Sequence, residues 1–317
     1  MKTMKLFTVI ALLTSLFTSC YTEVIVQDDA ANVGPAPTFV LDDLINDYEI
    51  WYVDINRSSG NTIIPFFQQA FTVSFRNGNI FANNNLSGIG SEGGGFGISV
   101  GYYDTYPNFE LDVTHDIDGF YSLDVRALSH NEIELYHPDT GARYVLVGYQ
   151  RSTFDYDLVF YDNIHYFLQE FVAWEKVYTS TTGAINAFDY ENFLQFLPAG
   201  SGGNFRSSED RNGTYINDLF WNYNGIYDIA NVPGDFYRKT LTLDYNFPGN
   251  EFFELTVINE NTIELYHLSS GTTHRFRGKG YIQFKNAEEN TKSSTPKLRK
   301  KTTVIKKEIE ALKAKKA

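Results

Sequence analysis

The feature that most restricts what this chain can fold into is a two-residue rhythm. Phe109, Leu111 and Val113 alternate with Glu110 and Asp112. Tyr121, Leu123, Val125 and Ala127 alternate with Ser122, Asp124 and Arg126, and Leu241, Leu243 and Tyr245 alternate with Thr242 and Asp244. Successive side chains of a strand leave opposite faces, so this pattern puts one face on a core and the other in water, as in antiparallel sheet. Asn77-Gly78, Asp118-Gly119, Asn212-Gly213 and Pro248-Gly249 supply turn signals between the runs. The expected class is all-β.

The rhythm occurs twice. Asn131-Glu132-Ile133-Glu134-Leu135-Tyr136-His137, followed by Gly141, returns as Asn261-Thr262-Ile263-Glu264-Leu265-Tyr266-His267, followed by Gly271. Upstream, Leu111-Asp112-Val113 is matched to Leu243-Asp244-Tyr245, and Arg76-Asn77-Gly78 to Arg211-Asn212-Gly213. Each half opens with a helix-capable segment (Leu41 to Asp47; Asn163 to Phe171) leading into a strand that carries Trp51 or Trp174. The expectation is two tandem related antiparallel units, 39–152 and 153–285, each preceded by a short helix and each holding about eight strands, enough for a small barrel or a two-sheet sandwich. Helix, tryptophan-bearing strand and meander together are similar to lipocalin-like barrels. The Gly-x-Trp of true lipocalins is absent at Glu49-Ile50-Trp51 and Val172-Ala173-Trp174, so this resemblance is architectural. At the join, Phe160, Ile164, Phe167, Phe171 and Trp174 recur at steps of three and four behind Asp162. That spacing predicts an amphipathic helix capped by Asp162, with its aromatic stripe between the units and no flexible linker.

The first 20 residues are of another kind. Lys2 and Lys5 precede an apolar run from Leu6 to Phe17, which is too short to span a bilayer and reads as a signal peptide, 1–19. Phe17-Thr18-Ser19-Cys20 resembles the lipobox of bacterial lipoproteins, with Phe17 where that family usually has Leu. The resemblance implies an acyl-bearing Cys20, with palmitate among its chains, and a lipid anchor in the bacterial outer membrane, periplasmic or surface-facing. Cys20 is the only cysteine, so the fold has no intrachain disulfide. Residues 20–38 read as a tether ending in Gly34-Pro35-Ala36-Pro37. Within it, Gln27-Asp28-Asp29 is similar to the acidic tags that send some Bacteroidota lipoproteins to the cell surface. Charge is divided along the chain. From Thr291 to Ala317 ten Lys+Arg face two Glu, a balance of +8, so the remainder carries −21 of the total −13. The body therefore repels nucleic acid, and the tail, 286–317, reads as basic and disordered, with Ile305, Ile309 and Leu312 at helical spacing.

"WYVDIN", "FRNGNIFANNN", "DIDGFYSLDV", "YQRSTFDYDLVFYDNIHYFLQEFVAWEKVYTS" and "NTIELYH…FRGKGYIQ" resemble a group of flavobacterial lipoproteins of unestablished function, over about residues 44 to 284. Some members carry the label nicotinic acid mononucleotide adenylyltransferase. That chemistry uses a His-x-Gly-His pair after the first strand of a parallel α/β sheet. His115, His130, His137, His165, His267 and His274 form no such pair.

The remaining motifs have plain readings. Gly88-x-Gly90-x-x-Gly93 sits between Asn83-Asn84-Asn85 and a strand-like Ile98-Ser99-Val100. A dinucleotide site needs a helix after the glycines, so the expectation is a mobile strand-connecting loop. Thr114-His115-Asp116-Ile117-Asp118-Gly119 supplies half of a calcium loop, with Thr114 and Val125 at positions that need carboxylates, and reads as a hairpin turn. His137 and His267 read as strand-end packing, and Glu110 and Asp112 as the wet face of a sheet. No catalytic, cofactor or metal residues are assigned, and Cys20 is the single site. The expected function is a non-catalytic envelope module for binding or structure, with an envelope glycan or a small apolar ligand as partner. An enzyme acting on envelope glycan or lipid is the alternative, and the adenylyltransferase label a more distant one.

Overall fold

A computed structural model describes residues 40–60, 64–199, 202–246 and 249–283. The signal peptide, Cys20, the tether and the basic tail lie outside the described residues. The strands close into two eight-stranded antiparallel barrels within one compact unit. The first runs β1 (Ile50–Ser59), β2 (Thr72–Arg76), β3 (Asn79–Asn83), β4 (Ile98–Tyr106), β5 (Glu110–His115), β6 (Gly119–Ser129), β7 (Glu132–His137), β8 (Ala142–Tyr149). The second runs β9 (Phe171–Thr179), β10 (Phe193–Ala199), β11 (Gly202–Ser208), β12 (Tyr223–Val232), β13 (Asp235–Tyr245), β14 (Gly249–Asn259), β15 (Thr262–His267), β16 (Thr273–Tyr281). Each strand pairs with the next, and β8 returns to β1 as β16 returns to β9. Closure leaves no sheet edge to aggregate.

The two-residue rhythm sets the inside. Leu111, Val113, Leu123, Val125, Ile133 and Leu135 are buried in the first barrel, and Leu241, Leu243, Phe253, Leu255, Ile263 and Leu265 in the second. Register then fixes which residues correspond. Val125 pairs with Leu135 and Leu255 with Leu265; Leu111 pairs with Leu123 and Leu241 with Phe253. Leu111 therefore corresponds to Leu241, two residues from the match read in the sequence. A slip of two keeps every side chain on its face, which is why the pattern tolerated it. The match of Arg76-Asn77-Gly78 to Arg211-Asn212-Gly213 also fails. Asn77-Gly78 turns β2 into β3, whereas Asn212-Gly213 lies in the long link from β11 to β12.

One end of each barrel is built identically. Helix α1 (Leu41–Asn46) buries Leu41, Leu44 and Ile45, as helix α4 (Ile164–Leu168) buries Ile164, Phe167 and Leu168; α2 (Pro65–Gln69) and α3 (Tyr156–Asp162) are the other helices used below. The indole N–H of Trp51 donates to the Ile45 carbonyl and that of Trp174 to the Leu168 carbonyl, each at 2.8 Å. Tyr48 stands edge-on to Trp51 and Phe171 edge-on to Trp174, at ring separations of 5.2 and 4.7 Å. Opposite each tryptophan in register is a glycine, Gly148 or Gly278. A Cβ there would strike the ring of Tyr48 or Phe171.

The join differs from the helix expected. Asp155, not Asp162, caps α3, accepting the Leu158 N–H at 2.8 Å, and Asp162 is the last residue of that helix. Asn163 breaks the helical run at φ −116° before α4 begins, and Phe171 and Trp174 belong to β9. The stripe still turns inward, with Ile164, Phe167, Phe171 and Trp174 buried. A strand and two short helices can share one apolar face at steps of three and four, so the spacing did not separate them.

The glycine run connects β3 to β4, and it is pinned. The buried Glu170 carboxylate accepts the N–H groups of Leu86 (2.7 Å) and Ser87 (2.8 Å), and the Asn85 amide donates to the Ile282 carbonyl at 2.7 Å. Ser87 donates to the Glu260 carbonyl at 2.7 Å and Arg151 to that of Gly94 at 2.6 Å. Positive φ at Gly88, Gly90, Gly93, Gly94, Gly95 and Gly97 lets the backbone lie this close to its neighbours; a Cβ on Gly97 would strike the Ala82 backbone. The run is a seam between the barrels, which explains its glycines without a phosphate.

Candidate functional site

The far ends of the barrels, closed by the link from first to second strand, have diverged. In the first barrel α2 inserts Phe66 and Phe67, whose rings lie 4.0 Å apart. Phe66 stacks on His115 at 4.8 Å and Phe67 on Tyr144 at 5.0 Å. His115 therefore faces inward, and its Nδ1 accepts the Asp118 N–H at 3.1 Å, closing the turn that had offered half of a calcium loop. Tyr144 accepts the Ile64 N–H at 2.9 Å. This mouth is mainly aromatic, with His115 and the Tyr144 hydroxyl as polar groups.

In the second barrel a single ring, Phe188 from the 3-10 turn Ala187–Tyr190, fills the same place, 4.6 Å from Phe253 and 5.2 Å from His274. Around it stand groups that differ from those of the first barrel, apart from His267, which matches His137. Register places Lys176 where Val53 stands, Tyr245 where His115 stands, His274 where Tyr144 stands and Ser207 where Ala82 stands. The Lys176 ammonium donates to the carbonyls of Phe188 and Asp189, each at 3.0 Å. Tyr245 donates to Glu191 at 2.7 Å. His267 bridges Glu251 at 2.6 Å and Ser270 at 2.7 Å, and His274 lies 3.5 Å from Asp189. Lys176, Glu191, Tyr245, His267 and His274 are all buried.

Burial shifts the protonation of Glu191, Lys176, His274 and Tyr245. It pushes the Glu191 carboxyl up to about 7, although Tyr245 donates to it and Lys176 lies near. It pulls the Lys176 ammonium down to about 8, against the attraction of Glu191 and Asp189. It pulls His274 down to about 4, helped by the Lys176 charge, and it raises the Tyr245 hydroxyl, as does Glu191. The cluster can therefore take up and release protons near neutrality, the condition that general acid–base groups meet.

A second feature lies outside the second barrel. Between the β9–β16 seam and the link 209–222 runs an open groove of about 630 Å³, lined among others by Glu175, Phe193, Tyr215, Ile216, Lys279 and Tyr281. Glu175 accepts the Gly213 N–H at 2.6 Å and pairs with Lys279 at 2.8 Å. Tyr215 is 81% exposed at its rim. On the first barrel, Tyr102 and Phe120 stand out from the sheet on either side of Thr114.

Among the residues singled out in the sequence, Glu110 and Asp112 lie on the half-exposed face of β5, with Ser122 donating to Glu110 at 2.8 Å. His137 and His267 end β7 and β15 and bond Thr140 and Ser270 through Nδ1. Among the described residues no group of three His, Cys, Asp or Glu is placed to hold a metal ion, and no helix is long and apolar enough to cross a membrane. Sequence reasoning missed Lys176 and Glu191. Lys176 had a signal, since it stands two residues after the inward Trp174. Glu191 had none, because it lies between a 3-10 turn and a strand, where no period applies. Comparison with protein-family models gives no match, and comparison with curated proteins gives no relative.

Proposed function

We propose that this chain is a non-catalytic envelope module, anchored in the bacterial outer membrane through an acylated Cys20, that recognises an envelope glycan with its outer surface. The observation that supports this reading is the packing of the barrels. Trp51, Phe66, Phe67 and Tyr144 fill the first, and Trp174, Phe188, Phe196, Phe205 and Phe253 fill the second, all of them buried. A small apolar ligand carried inside would have to displace these rings. The outside offers exposed aromatic faces, Tyr102 and Phe120 on one barrel and Tyr215 on the other, on which sugar rings can stack. Cosedimentation with isolated peptidoglycan and outer-membrane glycan tests the reading. Binding that falls on Tyr102→Ala with Phe120→Ala supports it, and no binding to either polymer overturns it. Fatty-acid labelling of growing cells should tag Cys20, and a Cys20→Ala form that stays equally membrane-bound would remove the anchor.

A second reading, an enzyme acting on envelope glycan or lipid, draws on the Lys176–Glu191–His274 cluster. Hydrolysis of envelope polymers that is lost in Glu191→Gln would favour it. Adenylyl transfer requires ATP, and calorimetry that detects heat at millimolar ATP would favour the nucleotide label over both.

A further inference from the structure

The outer sheet of the first barrel, from β4 to β6, carries a pattern that its core does not require. Alternate residues of these strands point outward, and register sorts them into rows. Tyr102, Thr114 and Phe120 form one row, Asp104, Asp112 and Ser122 the next, and Tyr106, Glu110 and Asp124 the third. Asp104 stands directly opposite Asp112, and Glu110 directly opposite Asp124, so the face holds two cross-strand pairs of like charge. Such pairs destabilise a sheet, and a cation lying between them offsets the repulsion. Among the described residues none of these four carboxylates makes an ion pair. Arg126, at the next outward position of β6, stands opposite Glu134. Asp112 Oδ1 is shielded from solvent and has no hydrogen-bond partner. Asp112 above all, with Asp104 and Glu110 contributing, pushes the Tyr106 hydroxyl pKa up, so the field over this face is negative.

Exposed rings frame these carboxylates. Tyr102, Phe120 and Tyr106 all stand in solvent. Two strand spacings, about 10 Å, separate Tyr102 from Phe120, and the row of Asp104 and Asp112 lies about 7 Å further along the strands. The barrel is closed, so an extended peptide finds no free strand to pair with, and the groove described above lies on the other barrel. A polymer of flat rings bearing cations meets both the aromatic and the acidic rows. We infer that the glycan recognised by this face bears free, protonated amino groups, its sugar rings stacking on Tyr102 and Phe120 while an ammonium lies between Asp104 and Asp112. The inference rests on the glycan reading above and narrows it to one chemical class. Anionic polymers are repelled by this face, and fully acylated ones bring no cation to it.

Two probes that differ in this one respect test it: a short oligomer of glucosamine, and the same oligomer fully N-acetylated. Each is titrated into the full mature chain by calorimetry, in mildly acidic buffer that keeps the free amines protonated. The free-amine oligomer should bind roughly tenfold or more tightly than the acetylated one, the worth of one charge-assisted contact. That preference should vanish in Asp104→Asn with Asp112→Asn, a variant that removes a like-charge pair and should melt no lower than wild type. Tyr102→Ala with Phe120→Ala should weaken binding of both oligomers. Equal binding of the two oligomers would overturn the inference and leave the glycan reading standing. Binding of neither would also overturn it, and failure to bind the isolated envelope polymers as well would take the glycan reading with it. So would an oligolysine that binds as tightly as the free-amine sugar and is indifferent to Tyr102→Ala with Phe120→Ala, because the face would then be a docking site for basic peptide.

Discussion

The two barrels agree at one end and disagree at the other. At the shared end Trp51 and Trp174 bond a carbonyl six residues back, at equal distances, each facing a glycine that makes room for Tyr48 or Phe171. At the opposite end Val53, His115 and Tyr144 of the first barrel give way to Lys176, Tyr245 and His274. Closing a barrel over a helix leaves few solutions, and both copies kept the same one. A mouth filled by a loop is less constrained. It costs more to bury Lys176 than the valine at the matching place, so the two mouths differ in the charge they hold inside.

The largest expected effect tests the likeness. Trp51→Ala and Trp174→Ala should each cost about 3–5 kcal/mol, because each removes a fully buried indole and its hydrogen bond. Chemical denaturation of both variants measures it. A cost in one copy below a third of that in the other would break the equivalence.

The next effect tests the unlikeness. Glu191 is raised to about 7, so the folded chain holds a proton that the unfolded chain has lost above about 4.5. Its contribution to stability is complete below that pH and gone above 7. His274, lowered to about 4, works the other way, and stability rises as pH passes from 4 to about 6.5. In wild type the two slopes largely cancel. In His274→Phe the Glu191 slope is unopposed, and stability should fall by roughly 3 kcal/mol between pH 4.5 and 7. Adding Glu191→Gln should flatten that fall. Urea titrations at stepped pH decide it, and a flat profile in His274→Phe would show that Glu191 titrates normally.

A smaller effect concerns the seam. Glu170→Ala leaves the Leu86 and Ser87 amides without their acceptor, at a cost of about 1–3 kcal/mol. It should split a single unfolding transition into two, one for each barrel. Retention of a single sharp transition would place the coupling in the apolar contacts of Phe96 and Phe154 instead.

Much of the fold was legible because strands enforce parity. The inward set of β5, β6, β7 and their counterparts follows from a period of two, and the shared Leu-Tyr-His strand ends and the paired tryptophans follow from the internal repeat. Parity also hid the two-residue error in matching Leu111, since such a slip changes no face. What the sequence withheld sits in links. The glycine run looked free because nothing local reveals that Glu170, far along the chain, accepts its amides. The groove and the Glu191 site arise from loops folding against strands, where residue type carries no period.

The interiors of both barrels are filled by buried rings. Titration of the mature chain with a fluorescent fatty acid, read by probe emission and by quenching of Trp51 and Trp174, tests this directly. The packed rings predict no saturable uptake by either barrel. Uptake at one probe per chain with tryptophan quenching would show that a barrel opens to a ligand, contradicting the reading of a module that acts through its outside.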